Sequence, residues 1–204
     1  RGPADIKCMP KYVQALKAFW VDIDVGEDKS ADGLGYPTKK EGHQALINFV
    51  SQCNLPSPTH FIDSGGGIHA YWALDRAVTP KEWKPISVML KELANKHGFL
   101  ADPARTADVA SILRPPFTQN HKLGIPRDVK IKRSNPLIKF SEFTDAINTA
   151  YAQHCGANTS CPTSSMFSAL PSNLVQETNL KALTLETQEE IERVQAMLSA
   201  IPAN

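Results

Sequence analysis

The stretch from Phe19 to Gly26, Phe-Trp-Val-Asp-Ile-Asp-Val-Gly, constrains this chain more than any other. Its aromatic and β-branched residues predict a buried strand, on which side chains alternate between faces. Phe19, Val21, Ile23 and Val25 then enter a core, while Trp20, Asp22 and Asp24 share the opposite face. The two carboxylates stand side by side, roughly 7 Å apart at Cα. Two anions that close repel and are costly to desolvate. A divalent cation held through oxygen ligands is the usual remedy. A strand end at which both acids are simply solvated fits the same residues, so this stretch alone leaves two readings open.

The rest of the composition narrows the class. A chain of 204 residues can bury a sizeable core, and one domain plus an appendage is the natural expectation. With 22 basic against 21 acidic residues the net charge is +1, so any surface for nucleic acid must be local. Cys8, Cys53, Cys155 and Cys161 form no CxxC pair, which fits reduced thiols in a cytoplasmic protein. Cys155 and Cys161 lie close to His154, but structural zinc needs more ligands at tighter spacing. No run approaches the roughly 20 apolar residues of a membrane span, and no signal peptide is visible. A soluble, cytoplasmic chain with no membrane partner is expected. It opens on Arg1 rather than Met and reads as a piece of something longer.

In chain order, Gly26 to Tyr36 is rich in Gly, Asp and Ser and reads as a loop; its Lys29, with Lys39 beyond it, lies near the acids and could meet a phosphate. Ala45, Leu46, Phe49, Val50 and Cys53 recur at helical spacing, predicting a helix over 38–54. Residues 59–63 and 68–74 read as strands joined by Ser64-Gly65-Gly66-Gly67, a hairpin. Thr79-Pro80 opens a long helix with Trp83, Ile86, Leu90 and Leu93 as its buried stripe, ended by Gly98. Residues 99–103 read as a short strand ending in Asp102, and 109–114 as a short helix after Asp108, stopped by Pro115-Pro116. Residues 126–139 carry Arg127, Lys130, Lys132, Arg133 and Lys139 against Asp128 alone, either a solubilising strand or a track for a phosphate backbone. Residues 140–154 look helical. The organisation expected is a catalytic domain over 1–155, a Ser/Thr-rich linker over 156–172 and a helical tail over 173–204.

Three features call for one explanation: Asp22 with Asp24, the glycine turn leading to His69, and Asp102 or Asp108 ahead of Arg114. Consecutive glycine N–H groups can form an anion-binding concavity, although the same glycines also fit a plain hairpin turn. Carboxylates for metal, with glycines, His and Arg for phosphate, suit nucleotidyl transfer.

These motifs, with Pro116-Phe117-Thr118-Gln119-Asn120-His121-Lys122, resemble the archaeo-eukaryotic primase superfamily, and within it the primase-polymerases of phages and plasmids. The resemblance covers roughly residues 12–125. It implies an α+β fold: an RRM-like catalytic sheet with a smaller αβ unit, followed by a small helical segment. The implied activity is template-directed synthesis from dNTPs or NTPs on single-stranded DNA and primer, with Mg²⁺ or Mn²⁺, during phage or plasmid replication. Asp22 and Asp24 match the metal motif, and Asp102, with Asp108 as rival, the third carboxylate. His69 matches the histidine that contacts the incoming triphosphate, with Ser64, Gly65 and Gly66 beside it. Arg114, Asn120 and Lys122 match a phosphate-contacting stretch. The familiar pattern there is Pro-Gly-Thr, so Phe117 is a departure in the loop. Residues 192–203 look like the opening of the helical domain that follows the core in many such proteins, and a helicase domain often comes later in such chains.

Other readings of the same residues are a metal-dependent nuclease and a non-catalytic initiator that binds an origin. Retained carboxylates count against the initiator. A rolling-circle nicking fold lacks support because His69 has no second histidine two residues away on its strand.

Overall fold

The computed structural model describes residues 9–122 and 124–156; the expected linker beyond 156, the helical tail, Cys8 and Cys161 lie outside them. After a 3-10 turn at Pro10–Tyr12, the elements in order are β1 (Leu16–Asp24), α1 (Glu27–Ala31), α2 (Lys39–Gln52), β2 (His60–Asp63), β3 (Gly67–Val78), α3 (Pro80–Lys96), α4 (Pro103–Thr106), β4 (Gln119–Asn120), β5 (Arg127–Asp128), β6 (Lys130–Ser134) and α5 (Phe140–His154).

The alternation in the acidic stretch decides how β1 sits. It lies antiparallel to β3, with Trp20 opposite Tyr71, Asp22 opposite His69 and Asp24 opposite Gly67. The sheet order is β1-β3-β2-β6. Phe19, Val21, Ile23, Ile68, Ala70 and Trp72, on the other face, are all essentially inaccessible. Helices α2, α3 and α5 cover that face. Phe19 stacks on Phe143 at 4.6 Å and on Trp83 at 5.5 Å, and Trp72 meets Phe143 at 5.4 Å. Each such ring contributes about 2–3 kcal/mol through the apolar area it removes from water. Gly42 lets α2 come close: a Cβ there would sit 3.3 Å from Ile23 Cγ2.

The two main helices begin where the sequence places their caps. Thr38 with Glu41 and Thr79 with Glu82 each form a reciprocal capping box, and Pro80 takes the first helical position of α3. Gly98, at φ +63°, supplies the left-handed residue after α3.

The fold is α+β with an antiparallel sheet. Strand-helix-strand-strand-helix order with β1-β3-β2 as neighbours is the split βαβ arrangement, and β6 is added beside β2. The smaller αβ part consists of α4 and the β4–β5 hairpin.

Four expectations need correction. The Gly/Asp/Ser-rich stretch after β1 holds the short helix α1, which Glu27 and Asp28 favour at its N-terminus. Residues 99–102 form no strand; their tie to the sheet is one backbone bond, from Asp102 N–H to Asp22 O at 2.8 Å. Residues 109–114 form no helix: Asp108 closes a turn, accepting from Ala110 N–H at 3.0 Å and through its backbone oxygen from Ser111 N–H at 3.1 Å. Pro115 and Pro116 leave no room to continue it. Strand β3 runs on to Val78, past a bulge that brings Leu16 opposite its end.

Candidate active site

A cleft of about 670 Å³ opens over the acidic face of the sheet. Asp22 and Asp24 come from β1, and His69 and Gly67 from β3; Ser64 and Gly66 lie in the turn before it, and Asp102 at the start of α4. Arg114, Asn120 and Lys122 line the opposite side. Gly65 and Asp108 are not among the lining residues. Of the two candidates for a third carboxylate, Asp102 lines the cleft with the other two acids while capping α4 through Ala104 N–H at 2.8 Å, and Asp108 lies outside it, its carboxylate on the turn and on Ser111 Oγ–H at 3.1 Å.

Asp22 is the strained member. Burial pushes its carboxyl up to about 6, reinforced by the charges of Asp24 and Asp102 and opposed by Arg105 and Arg114. Its neighbour across the strands, His69, is 1% exposed. Burial, with help from Arg114, pushes that imidazole down to about 4, so the ring is neutral near pH 7. His69 Nε2 lies 3.6 Å from Asp22 Oδ1, and Nδ1 lies 3.4 Å from the Tyr71 hydroxyl. A neutral ring packed 3.6 Å from the costly carboxylate adds no counter-charge of its own. Asp24 has Lys29 at 3.3 Å, and Asp102 has Arg105 at 3.9 Å. Asp22, Asp24 and Asp102 line one cleft, the last two raising the carboxyl pKa of the first, and oxygen donors of this kind are the type that could hold a hard divalent cation such as Mg²⁺ or Mn²⁺.

The glycine turn is a tighter device than a nest of three N–H groups. Gly65, at φ +80°, takes the first central position that a type II′ hairpin turn reserves for glycine. Its N–H donates to Asp63 at 2.9 Å, and the Gly67 N–H donates to Ser64 Oγ at 3.0 Å. That leaves the Gly66 N–H as the one not used within the turn. Asn120, 3% exposed, donates its amide to Ser64 O at 2.9 Å and accepts the Lys122 N–H at 3.0 Å. Asn120 thus bolts the β4 side of the cleft to the turn.

Sequence reasoning missed two cleft cations. Arg127 reaches Gly65 O at 3.3 Å, and the backbone oxygen of Arg105 receives the Trp20 indole N–H at 2.9 Å. Trp20 shares the acids' face yet is 8% exposed, because α4 lies over it and Trp83 packs 4.9 Å away. Nothing in the spacing of Arg105 or Arg127 marks them; only the closeness of Asp102 to Arg105 and the basic run around Arg127 hinted at either. Lys39 goes elsewhere, pairing with Asp63 at 2.6 Å beside a separate cavity between α2 and β2.

The departure at Phe117 has a definite form. Its φ is +65°, the left-handed conformation that glycine adopts at no steric cost, and its ring is 74% exposed. The loop keeps a glycine-like backbone and carries the strain of a large side chain.

No family model and no curated protein matches the chain. No helix among the described residues is long and apolar enough to cross a membrane. Among solved structures, the chain is similar to the AEP domain of the cyanophage S-2L primase-polymerase, at 15% identity and a TM-score of 0.49, over 68% of this chain and 64% of that one. It is also similar to primase RepB′, at 15% identity and a TM-score of 0.39, over 90% of this chain and 46% of that one. The chain thus spans less than two thirds of either structure.

Proposed function

We propose that this chain is the catalytic part of a primase-polymerase, joining nucleoside triphosphates into DNA or primers on a single-stranded template in phage or plasmid replication. One observation carries the reading: Asp22 and Asp24 on one sheet face and Asp102 at the start of α4 line the same cleft as the glycine turn, Arg114, Lys122 and Arg127. Acids on one wall and bases on the other suit a substrate whose reacting phosphate needs a cation and whose outer phosphates need counter-charge.

In this reading Asp22, Asp24 and Asp102 hold Mg²⁺ or Mn²⁺. When bound, the divalent ions supply activation of the attacking 3′-hydroxyl and stabilisation of charge at the α-phosphate. Arg114, Lys122 and Arg127 meet the outer phosphates, and Gly66 offers the backbone N–H that the turn itself leaves unused. His69 is neutral and buried against Asp22; it fixes that carboxylate at the floor beneath the triphosphate. Ile112 and Leu113 give the cleft an apolar wall. The domain divisions proposed are 1–155 for catalysis, 156–172 for a linker and 173–204 for a helical tail, with a helicase domain later in a longer chain.

An assay with a labelled primer on single-stranded DNA tests this, comparing dNTPs with NTPs and Mg²⁺ with Mn²⁺, with and without primer. The wild type is expected to extend the label. Asp22→Ala with Asp24→Ala is expected to abolish incorporation while circular dichroism stays unchanged. Incorporation retained in that double variant, or a shortened primer with the wild type, overturns the assignment; shortening would point to a nuclease.

A further inference from the structure

Three helices of the core end at one place. Cys53 and His97 are the residues that cap the C-termini of α2 and α3, and His154 is the last residue of α5. One ligand atom from each lies within 4.8 Å of the other two. The His97 and His154 rings meet edge to face at 4.5 Å. His97 Nε2 is buried and has no hydrogen-bond partner, a situation that costs about 1–3 kcal/mol unless something binds the atom. Helix C-termini carry partial negative charge, so the meeting of three of them favours a cation. Cys155 follows His154 directly in the chain as a free, half-buried thiol.

We propose that Cys53, His97 and His154 bind one Zn²⁺ that pins α5 to α2 and α3, the fourth position being taken by the adjacent Cys155 thiol or by water. The ligand set names the metal. Thiolate and imidazole without carboxylate suit tetrahedral Zn²⁺ and are poor ligands for Mg²⁺ or Mn²⁺. Ligand atoms around tetrahedral zinc stand about 3.5 Å apart, so side-chain movements of about 1 Å bring Cys53, His97 and His154 onto one ion. Binding converts each thiol to a thiolate and releases its proton to solvent. None of the four residues lines the cleft, so the site is structural and independent of the proposed chemistry. Spacing along the sequence concealed it, because Cys53, His97 and His154 each end a different helix.

The test uses the full 204-residue chain, stripped with a chelator and titrated with Zn²⁺ against a chromophoric competitor in excess Mg²⁺. One tightly bound Zn²⁺ per chain and a raised Tm are expected, since a ligand of the native state stabilises it. Co²⁺ should give a thiolate-to-cobalt charge-transfer band and intense tetrahedral d–d bands, a readout that needs no variant. His97→Ala and His154→Ala should each weaken Zn²⁺ by about 100-fold or more, because outer-shell changes alone cost 10- to 100-fold. Asp22→Ala should bind Zn²⁺ as the wild type does. Absence of stoichiometric binding, a cobalt spectrum without thiolate bands, or unchanged affinity in both histidine variants overturns the proposal.

Discussion

Asp22 is a carboxylate held where a carboxylate is costly, and its linkage to stability has a definite sign. Its folded-state pKa, about 6, lies above the ordinary value of 3.8. Below pH 4 the group is protonated in both states and costs nothing. As pH rises through 6 the folded protein must ionise it against burial and two neighbouring acids, and stability is lost. With the side chain 22% exposed, the loss above pH 7 is about 2–3 kcal/mol. Asp22→Asn should therefore make the metal-free protein more stable by about that amount at pH 7.5, with the difference shrinking toward zero as pH falls to 4. Urea unfolding in chelator at several pH values measures it, and a less stable variant at pH 7.5 would contradict the sign. The two acids of β1 were legible in the sequence because strand alternation is local. The strain on Asp22 was not, because Asp102 and Arg105 reach it only through the tertiary fold.

At the scale of elements, β1 and β3 set the cleft through the closeness of their backbones. A Cβ on Gly67 would lie 2.5 Å from Ile23 O, closer than any side-chain carbon is tolerated. Gly67→Ala should destabilise the protein by about 1–3 kcal/mol as the strands part, and it should reduce incorporation because Asp24 pairs opposite it. Denaturant midpoints and the extension assay check the two effects, and a neutral midpoint would show that the strands absorb the methyl group. Elements announced by local chemistry were readable: Thr38-Glu41 and Thr79-Pro80-Glu82 cap their helices as their side chains require. Elements decided by distant contacts were not. Phe99 and Leu100 look like a strand because they are apolar, yet Phe99 stacks on Phe49 at 4.8 Å and the Leu100 N–H goes to the Tyr36 hydroxyl, so no ladder forms.

Across the whole molecule a net charge of +1 hides a division of labour, with acids along the β1 edge of the sheet and bases along the opposite edge, β6. Every residue of β6 is exposed, and Lys130, Lys132 and Arg133 lie on it. If this edge tracks the template, neutralising all three should lower the slope of log K against log salt by about 2, at roughly 0.7 per phosphate contact on a single strand. An unchanged slope would make β6 solvated surface. The free edge of β1 is arranged differently. There the chain delivers Asp102 by the backbone bond from its own N–H to Asp22 O, so main-chain geometry sets the spacing of these two acids, whatever side chains precede or follow. Such a joint separates position from side-chain chemistry: a substitution in the connecting loop that keeps this one backbone bond leaves the second acid anchored to the first strand.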